Sequence, residues 1–464
     1  MSRSNLRVLI VAEHASMKFG GEAALPVHYF RILRKRGIET WLVVHERTRD
    51  ELESLLQGEF DRIHFVPDTL WHRIVWQSSR LLPQRLSRIT FGLVLRLMTQ
   101  MVQRGIVKRA VGEKQIDIVH QPIPVSPKDP SLIFGLGVPV VIGPMNGGID
   151  YPPAFRRRQS PFVDLTLRFG HLFSNLLNTV IPGKRKAATL LVANPRTHDA
   201  LPKGIRGKVI ELVENGVDLS IWKPKPQTQR LELENVVEET KIQHSGQKAQ
   251  QPTKFVYVGR LVDWKAVDLL MSGFKQVVEQ VPAELEIIGD GPERAAIEEQ
   301  ARVLGLTKRR SKGSESTTQG CGCQPQEQEA VRFVGWLSPV DCAQRMQQAD
   351  VLVLPSLLEC GGAVVLEAMA MGIPVITTNW GGPAEYVDAS CGILVEPASQ
   401  DSFINGIAAA MIKMAQSPEL RQTMGRAGHQ RVINHFDWEV KVNTMLEIYR
   451  ETIERVSTEK ATPP

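Results

Sequence analysis

Short β-branched runs alternate with helix-like patterns along most of this 464-residue chain. The first half predicts strands at 7–12, 40–45, 116–120 and 138–143, with a helix over 22–36 that ends at Gly37. This alternation is typical of βαβ units, in which helices cover both faces of a parallel sheet. Because the chain is too long for one ordinary hydrophobic core, we expect two domains.

The alternation starts again after the segment VENGVDLSIWKP. The second half predicts strands at 254–259, 285–289, 331–335, 351–355, 374–377 and 392–395. We therefore predict an α/β chain with two Rossmann-like doubly wound domains, residues 1–214 and 225–437, joined by a linker at 215–224. A last helix begins at residue 438, and the sequence leaves open which domain residues 438–464 pack against.

Two segments, 225–253 and 307–330, interrupt the pattern with Gln, Glu, Lys, Ser and Thr and few apolar residues. They predict solvated, disordered insertions in loops. The five cysteines are odd in number and scattered, and Cys321-Gly-Cys323 has no second pair or nearby histidine, so we predict no metal site. No window reaches the ~18 apolar residues of a membrane span, and the first apolar run is too short for a signal peptide. We expect a cytoplasmic protein.

Charge is divided unequally between the two halves. The first 214 residues carry 31 Lys and Arg against 18 Asp and Glu, and the remainder carries 25 against 32. Residues 71–116 hold nine bases and one acid, interleaved with Leu, Trp and Met. Such a mixture suits an interfacial helix, so we predict peripheral contact with an anionic membrane. An amphipathic helix that covers a sheet also mixes Leu with Arg, and that interpretation stays open.

Arg260 and Lys265 follow Gly259 at the exit of a predicted strand. Two cations five residues apart at that position would clamp a diphosphate and neutralise charge on a leaving group. A solvated loop start is the competing interpretation.

The stretch PSLLECGGAVVLEAMAMGIPV, residues 355–375, places two acids around a predicted helix. Glu359 precedes the pair Gly361–Gly362, and Glu367 lies inside an apolar helical run. The helix start offers free N–H groups at residues such as Ala363 and Val364, and glycine lets a phosphate approach the backbone. The two acids would therefore bracket a diphosphate, one binding sugar hydroxyls and the other binding ribose. A salt-bridged, structural Glu367 is the alternative.

The first half offers weaker candidates. Gly20 and Gly21 lie between the first strand and a helix, but no GxGxxG follows, which argues against a dinucleotide-binding dehydrogenase. His120 lies at the carboxyl end of a predicted strand, where a packing role competes with catalysis. The loop GPMNGGIDYPP follows another strand and is placed to shape an acceptor site.

Taken together, GRLVDWK, GDGPER, FVGWL and the 355–375 stretch resemble the retaining, GT-B-type glycosyltransferases of family 4, the group 1 transferases. The resemblance implies two domains facing a central cleft. It implies that Arg260 and Lys265 bind diphosphate, that Glu359 faces the donor sugar, and that Glu367 binds ribose. By the same resemblance, Gly362, Ala363 and Val364 contact sugar and phosphate through their backbone, and residues around Gly335 and Trp336 receive the nucleobase.

The implied activity is transfer of a hexose from a nucleoside-diphosphate sugar, with retention and without a metal or other cofactor. The implied acceptor is lipid-linked or a growing envelope polysaccharide, and no nucleic acid is expected. Three positions depart from the common family pattern: Cys360-Gly361 stands where many members have Gly-Phe, Pro122 where many have histidine, and Ala266 where glycine is common. A nucleotide-sugar epimerase of the same fold and an inactive sugar-binding scaffold remain alternatives.

Overall fold

The computed structural model describes residues 6–18, 21–70, 74, 75, 77, 84–158, 174–224, 251–307 and 329–461. The chain forms two compact units. Unit 1 comprises Met1–Ile149, Ser160–Gly216 and Trp438–Pro464, and unit 2 comprises Asp150–Gln159 and Val217–Asp437. Most of the two predicted insertions lies outside the described residues. At their edges the chain is ordered, since Thr253 starts a strand and Ala330 N–H donates to the Leu306 carbonyl at 3.1 Å.

Unit 1 contains a seven-stranded parallel sheet with the order β3-β2-β1-β4-β5-β6-β7. Its strands are β1 Arg7–Val11, β2 Glu39–His45, β3 Ile63–Val66, β4 Ile118–Gln121, β5 Val140–Met145, β6 Thr189–Val192 and β7 Lys208–Glu211. Its helices are α1 Gly21–Lys35, α2 Arg49–Leu55, α3 Gln84–Lys114, α4 Gly183–Lys186, α5 Pro195–Asp199 and, last in the chain, α13 Trp438–Ala461. Strands β3, β6 and β7 were not among the predicted strands.

Both faces of the unit 1 sheet are covered, as the alternation along β1 requires. Val8 and Ile10 point to one side and pack with residues of α1 and α13. Leu9 and Val11 point to the other side and pack with residues of α3. Period-two alternation between two apolar layers is what a doubly wound sheet demands of a central strand.

Unit 2 contains a six-stranded parallel sheet with the order β10-β9-β8-β11-β12-β13. Its strands are β8 Thr253–Val258, β9 Ala283–Ile288, β10 Val331–Gly335, β11 Val351–Leu354, β12 Val375–Thr378 and β13 Gly392–Val395. Its helices are α6 Val267–Val278, α7 Arg294–Val303, α8 Pro339–Met346, α9 Ala363–Ala370, α10 Pro383–Tyr386, α11 Gln400–Gln416 and α12 Pro418–His435. Each of the six strands corresponds to a predicted one.

The two units assign helix α13, which the sequence left open, and they separate residues 150–159 from the predicted first domain. Helix α13 belongs to unit 1, where Met445 and Tyr449 are buried in the same cluster as Tyr29 of α1. Residues 150–159 belong to unit 2, where Arg158 forms an ion pair of 2.6 Å with Asp268. The sequence left α13 unassigned, because a helix with one apolar face fits any exposed sheet face equally well.

Candidate active site

Three turns of unit 2 lie side by side at the carboxyl ends of β8, β9 and β10. Gly259 N–H donates to the Ile288 carbonyl at 3.0 Å, and Gly289 N–H donates to the Gly335 carbonyl at 2.8 Å. A Cβ added at Gly289 would lie 2.0 Å from the Gly259 oxygen, so only glycine fits there. These contacts explain the glycines of the GRL and GDG motifs and bring the three turns together at one edge of the sheet, at the position where open α/β sheets bind ligands.

The residue after this edge is an exposed aromatic. Trp336 follows Gly335, whose positive φ of 91° ends β10, and 70% of Trp336 is accessible to solvent. A large aromatic surface open to water is costly to leave uncovered, and it offers a flat partner for a planar ring. This is the position at which the resemblance predicts the nucleobase.

Lys265 and Glu359, 94 residues apart in the sequence, form an ion pair. Their side chains are only 16% and 15% exposed. The Leu357 amide donates to the Trp264 carbonyl at 2.9 Å, which ties the two loops together beside the pair. The structure therefore brings two of the predicted site residues into direct contact.

Ala266 holds Lys265 at the junction between the loop and α6. Its φ of 52° and ψ of 36° place it in the left-handed region, and it is completely buried. A non-glycine residue costs roughly 1–2 kcal/mol in that conformation. The backbone geometry explains why glycine suits this position and why alanine is strained there.

The Arg260 side chain is exposed, and it makes no hydrogen bond or ion pair to another described residue. Its carbonyl accepts a hydrogen bond of 3.1 Å from the Tyr257 hydroxyl. Burial, with a smaller contribution from the charge of Glu359, raises the pKa of Tyr257 well above its usual range. Sequence reasoning missed Tyr257, because a tyrosine in a strand is expected to be core; its position two residues before Gly259 was the available signal.

Helix α9 begins at Gly362, whose φ of 75° and ψ of 53° are left-handed. No side chain caps this helix start, so the first N–H groups of α9 have no capping partner there. A Cβ on Gly362 would lie 3.0 Å from both Glu359 Cγ and Pro383 Cγ. Glycine is therefore required to bring Glu359 against the helix start. Gly361, Ala363 and Val364 keep part of their surface exposed there.

Glu367 lies inside α9 and is partly exposed. Burial raises the pKa of Glu367 to about 7. Burial, together with the charge of Glu367, raises the pKa of the Cys342 thiol to about 12. The structure shows no ion pair to Glu367 from any described residue, which removes the salt-bridge alternative for the part of the chain that is seen.

His120 of unit 1 is completely buried at the end of β4. Its Nε2 donates to the Gly143 carbonyl at 2.7 Å, so Nδ1 is the free lone pair, and it accepts a 2.7 Å hydrogen bond from the Tyr449 hydroxyl. Burial lowers the pKa of His120 to about 4. With both nitrogens bonded to protein and no surface exposed, the geometry gives His120 a structural role and argues against the predicted catalytic one.

Gly21 is the first residue of α1, while its neighbour Gly20 lies outside the described residues. A Cβ on Gly21 would approach Asn215 Oδ1 to 3.7 Å, an ordinary contact, so space alone does not require glycine. The contact places the start of α1 beside the segment that follows β7. Whether either glycine contacts a donor stays a prediction.

Several basic residues of unit 1 that were predicted to face a membrane instead form ion pairs and hydrogen bonds within the protein. Arg96 pairs with Asp129 and lies 3.3 Å from Glu13. Arg104 donates to the carbonyls of Leu132 and Phe134, and its guanidinium lies 4.2 Å from the Phe134 ring centroid. The basic surface is therefore smaller than the sequence suggested. The exposed bases on the described part of α3 are Lys108, Arg109 and Lys114.

Residues 252–413, within unit 2, match the family model Glycosyl transferases group 1. The chain carries a glycosyl transferases group 1 domain. The group 1 domain contains the turns of β8–β10, the Lys265–Glu359 pair and the start of α9. Among the described residues, no group of three or more His, Cys, Asp or Glu is arranged to hold a metal ion, and no helix is long and apolar enough to cross a membrane.

Curated relatives share the group 1 domain at moderate identity. Glycogen synthase of Mycobacterium tuberculosis is 30% identical over 200 residues, which cover 43% of this chain and 42% of that protein. The D-inositol 3-phosphate glycosyltransferase of Kribbella flavida is 29% identical over 289 residues, 59% of each chain. The chain thus spans about half the length of the curated relatives it matches.

Solved structures confirm the predicted GT-B type of fold with its two doubly wound sheets. Sucrose-phosphate synthase of Thermosynechococcus elongatus has a TM-score of 0.64 at 18% identity, and the match covers 97% of this chain and 100% of that one. HepE of Anabaena, solved in complex with UDP, has a TM-score of 0.60 at 16% identity, covering 96% and 100%. At such identities the likeness concerns the fold alone.

Proposed function

We propose that this protein is a retaining glycosyltransferase that moves a hexose from a nucleoside-diphosphate sugar to an acceptor, without a metal ion. The observation that carries the proposal is the partly buried Lys265–Glu359 pair beside the uncapped start of α9. Such a donor carries a negatively charged diphosphate next to neutral sugar hydroxyls. The cation and the free backbone N–H groups at this edge of the group 1 domain suit the diphosphate, and the carboxylate suits the sugar hydroxyls.

In this proposal the diphosphate competes with Glu359 for the Lys265 ammonium. Lys265 and Arg260 then neutralise the charge that develops on the departing diphosphate, the task that a metal ion performs in other transferases. The N–H groups at Gly362, Ala363 and Val364 contact the phosphate. Glu359, released from Lys265, accepts hydrogen bonds from the sugar hydroxyls.

The remaining parts of the donor fall to residues nearby in unit 2. Glu367 accepts hydrogen bonds from the ribose hydroxyls, and the edge at Gly259, Gly335 and Trp336 receives the nucleobase. Structures of HepE with UDP and with UDP-glucose make uridine nucleotides the first to test. Donor binding by Gly20 and Gly21 of unit 1 stays a prediction from the sequence.

Calorimetry with UDP, GDP and ADP and with their glucose or mannose derivatives, in the presence of EDTA, tests the donor site. Glu359→Ala is expected to weaken the nucleotide-sugar by roughly tenfold, because the sugar loses a hydrogen-bond acceptor, and not to weaken the free diphosphate, which no longer competes with Glu359 for Lys265. Glu367→Ala is expected to weaken both ligands. The reverse order would exchange the two roles, and no binding of any nucleotide would contradict the proposal. NMR of the product anomer separates retention from inversion and transfer from epimerisation.

We propose further that the acceptor is lipid-linked or a growing envelope polysaccharide, and that unit 1 contacts an anionic membrane from the cytoplasmic side. Val94, Met101 and Lys108 recur every seven residues on α3 and therefore share one face. Val94 and Met101 are 45% and 61% exposed, and Lys108 is also exposed. An exposed apolar and basic face is the arrangement that binds at a bilayer surface.

Co-sedimentation with vesicles of phosphatidylglycerol and of phosphatidylcholine tests the contact. The protein is expected to pellet with the anionic vesicles at low salt and to be released by salt. Met101→Glu is expected to abolish pelleting, whereas the matched charge change Lys254→Glu on exposed β8 of unit 2 is not. Equal recovery of the wild type in the supernatant with both lipids would contradict the membrane contact.

A further inference from the structure

Neighbouring strands of unit 1 end in buried amide and carboxyl side chains. Asn146 follows β5, Asn194 follows β6, and Glu214 lies three residues beyond β7, and these strands are adjacent in the sheet. All three residues are at most 4% exposed. Buried polar groups are unusual enough to need an explanation, and these lie at the carboxyl edge of a parallel sheet.

Asn146 is held in one orientation. Its Oδ1 accepts hydrogen bonds from Asn194 Nδ2 at 3.3 Å and from Arg196 Nη2 at 3.2 Å. Because its oxygen is fixed by these donors, its amide nitrogen must point the other way, and Nδ2 donates to Glu214 Oε1 at 2.6 Å. The cluster therefore fixes the position of the Glu214 carboxyl before any ligand arrives.

Only one of the two carboxyl oxygens of Glu214 accepts hydrogen bonds from the residues that the structure describes. Oε1 accepts from Asn146 and also from Asn215 Nδ2 at 3.1 Å. Oε2 is buried and has no hydrogen-bond partner among the residues that the structure describes. A buried polar atom left without a partner costs about 1–3 kcal/mol, so rigid placement of one is expected where a ligand supplies the missing bond.

The surroundings of Glu214 select the charge of that ligand. Burial raises the pKa of Glu214, and the neighbouring charge of Glu22 adds to the increase. The charge of Lys441 acts in the opposite direction on Glu214, and the Lys441 ammonium is itself bound to the Val213 carbonyl. Oε2 is an acceptor that lacks a donor, and the hydroxyl of a neutral ligand can supply that donor without adding charge to a buried site.

We propose that Glu214, held by Asn146 and Asn215, accepts a hydrogen bond from a hydroxyl of an uncharged hexose unit, and that this cluster is a sugar-binding subsite of unit 1. The inference rests on the proposed function, in which that hexose belongs to the acceptor. It adds a recognition residue that lies in the segment VENGVDL, which the sequence marked only as the start of a linker.

Saturation-transfer NMR on the full chain, with methyl α-D-glucopyranoside, methyl α-D-mannopyranoside and methyl β-D-galactopyranoside as probes, tests the subsite. At least one glycoside is expected to bind the wild type. Glu214→Gln keeps an oxygen for Asn146 and Asn215 but replaces the acceptor Oε2 by a donor, so binding is expected to weaken roughly tenfold. Glu211→Gln, on exposed β7, is the matched control and is expected to bind as the wild type does.

Glu359→Ala shows in which unit the glycoside binds. Binding that survives Glu359→Ala but not Glu214→Gln supports the subsite. Binding that is lost in Glu359→Ala and kept in Glu214→Gln would place the glycoside in the donor site and overturn the inference, as would the absence of any glycoside binding to the wild type. Calorimetry with UDP and GDP on each variant keeps the two proposals apart, because nucleotide binding depends on unit 2 and not on Glu214.

Discussion

The two sheets end differently at their carboxyl edges. In unit 2 the strands β8, β9 and β10 end in closely packed glycine turns, followed in the chain by Lys265 and by the exposed Trp336. In unit 1 the corresponding edge is filled by polar side chains that bond to one another, such as His120 with Tyr449. We call the unit 2 edge open, because Trp336 is exposed and the start of α9 has no side-chain cap, and the unit 1 edge closed, because most of its polar atoms already have protein partners. A polar residue at a strand end is a weak predictor of a site unless the backbone around it leaves room for a ligand.

The largest effect is expected at the open edge. Lys265→Ala should lower kcat by about 10²–10³-fold, near 3 kcal/mol, with a much smaller change in donor affinity, because charge on the diphosphate is greatest in the transition state. Arg260→Ala should act in the same direction. Steady-state kinetics with the donor identified by calorimetry measures both, with exposed Lys254→Ala as the control. Wild-type turnover in the Lys265 variant would contradict the catalytic role proposed for the open edge of unit 2.

At the closed edge of unit 1, a substitution should lower the stability of the protein and leave the catalytic rate nearly unchanged. His120→Phe removes both ring hydrogen bonds and leaves the Tyr449 hydroxyl and the Gly143 carbonyl without their partner, at a cost of about 3 kcal/mol in the free energy of unfolding. Urea denaturation measures this loss, with exposed His198→Phe as the control.

Below its melting temperature the His120→Phe variant should keep kcat within a few-fold of the wild type. A loss of 10² or more, as expected for a general base, would restore the catalytic role and show that the closed edge opens during the reaction.

The pH dependence of nucleotide binding should sharpen the description of the open edge. Ribose hydroxyls donate to the Glu367 carboxylate, and the pKa of Glu367 lies at about 7 before ligand binds. The carboxylate fraction therefore grows as pH rises from 6 to 8, and affinity for a nucleoside diphosphate should increase by about tenfold over that interval. Glu367→Gln should flatten the profile. An affinity that falls with rising pH would contradict the assignment of ribose to this carboxyl.

The smallest expected effect concerns the left-handed residue that supports Lys265. Ala266→Gly should raise the free energy of unfolding by about 0.5–1 kcal/mol, since glycine adopts the observed φ of 52° without strain. Ala409→Gly, at an exposed position inside α11, should lower it by about 1 kcal/mol. Thermal melts of the two variants measure the opposite signs, and equal destabilisation would show that Ala266 is not strained.

The sequence predicted the elements of unit 2 and the partners at its open edge, because glycine turns after β-branched strands carry a strong local signal. Lys265 and Glu359 were expected in one site, and the structure joins them directly. Tyr257 and Glu214 were not expected, since a strand tyrosine and an acid before Asn-Gly have ordinary local explanations. The role of His120 could not be read locally either, because its partner Tyr449 lies 329 residues away on α13.

The return of α13 to unit 1 has a consequence for the order in which the protein folds on the ribosome. Trp438, Met445 and Tyr449 are part of the core beneath α1, yet they are synthesised after the whole of unit 2. The nascent N-terminal half therefore emerges with an uncovered apolar face and with His120 lacking its tyrosine partner, while the 217–437 segment can already pack its own sheet. Unit 1, which begins at the N-terminus, can therefore be completed only after unit 2 has been synthesised, and a chain that stops before residue 438 should leave the apolar face beneath α1 exposed and prone to aggregation.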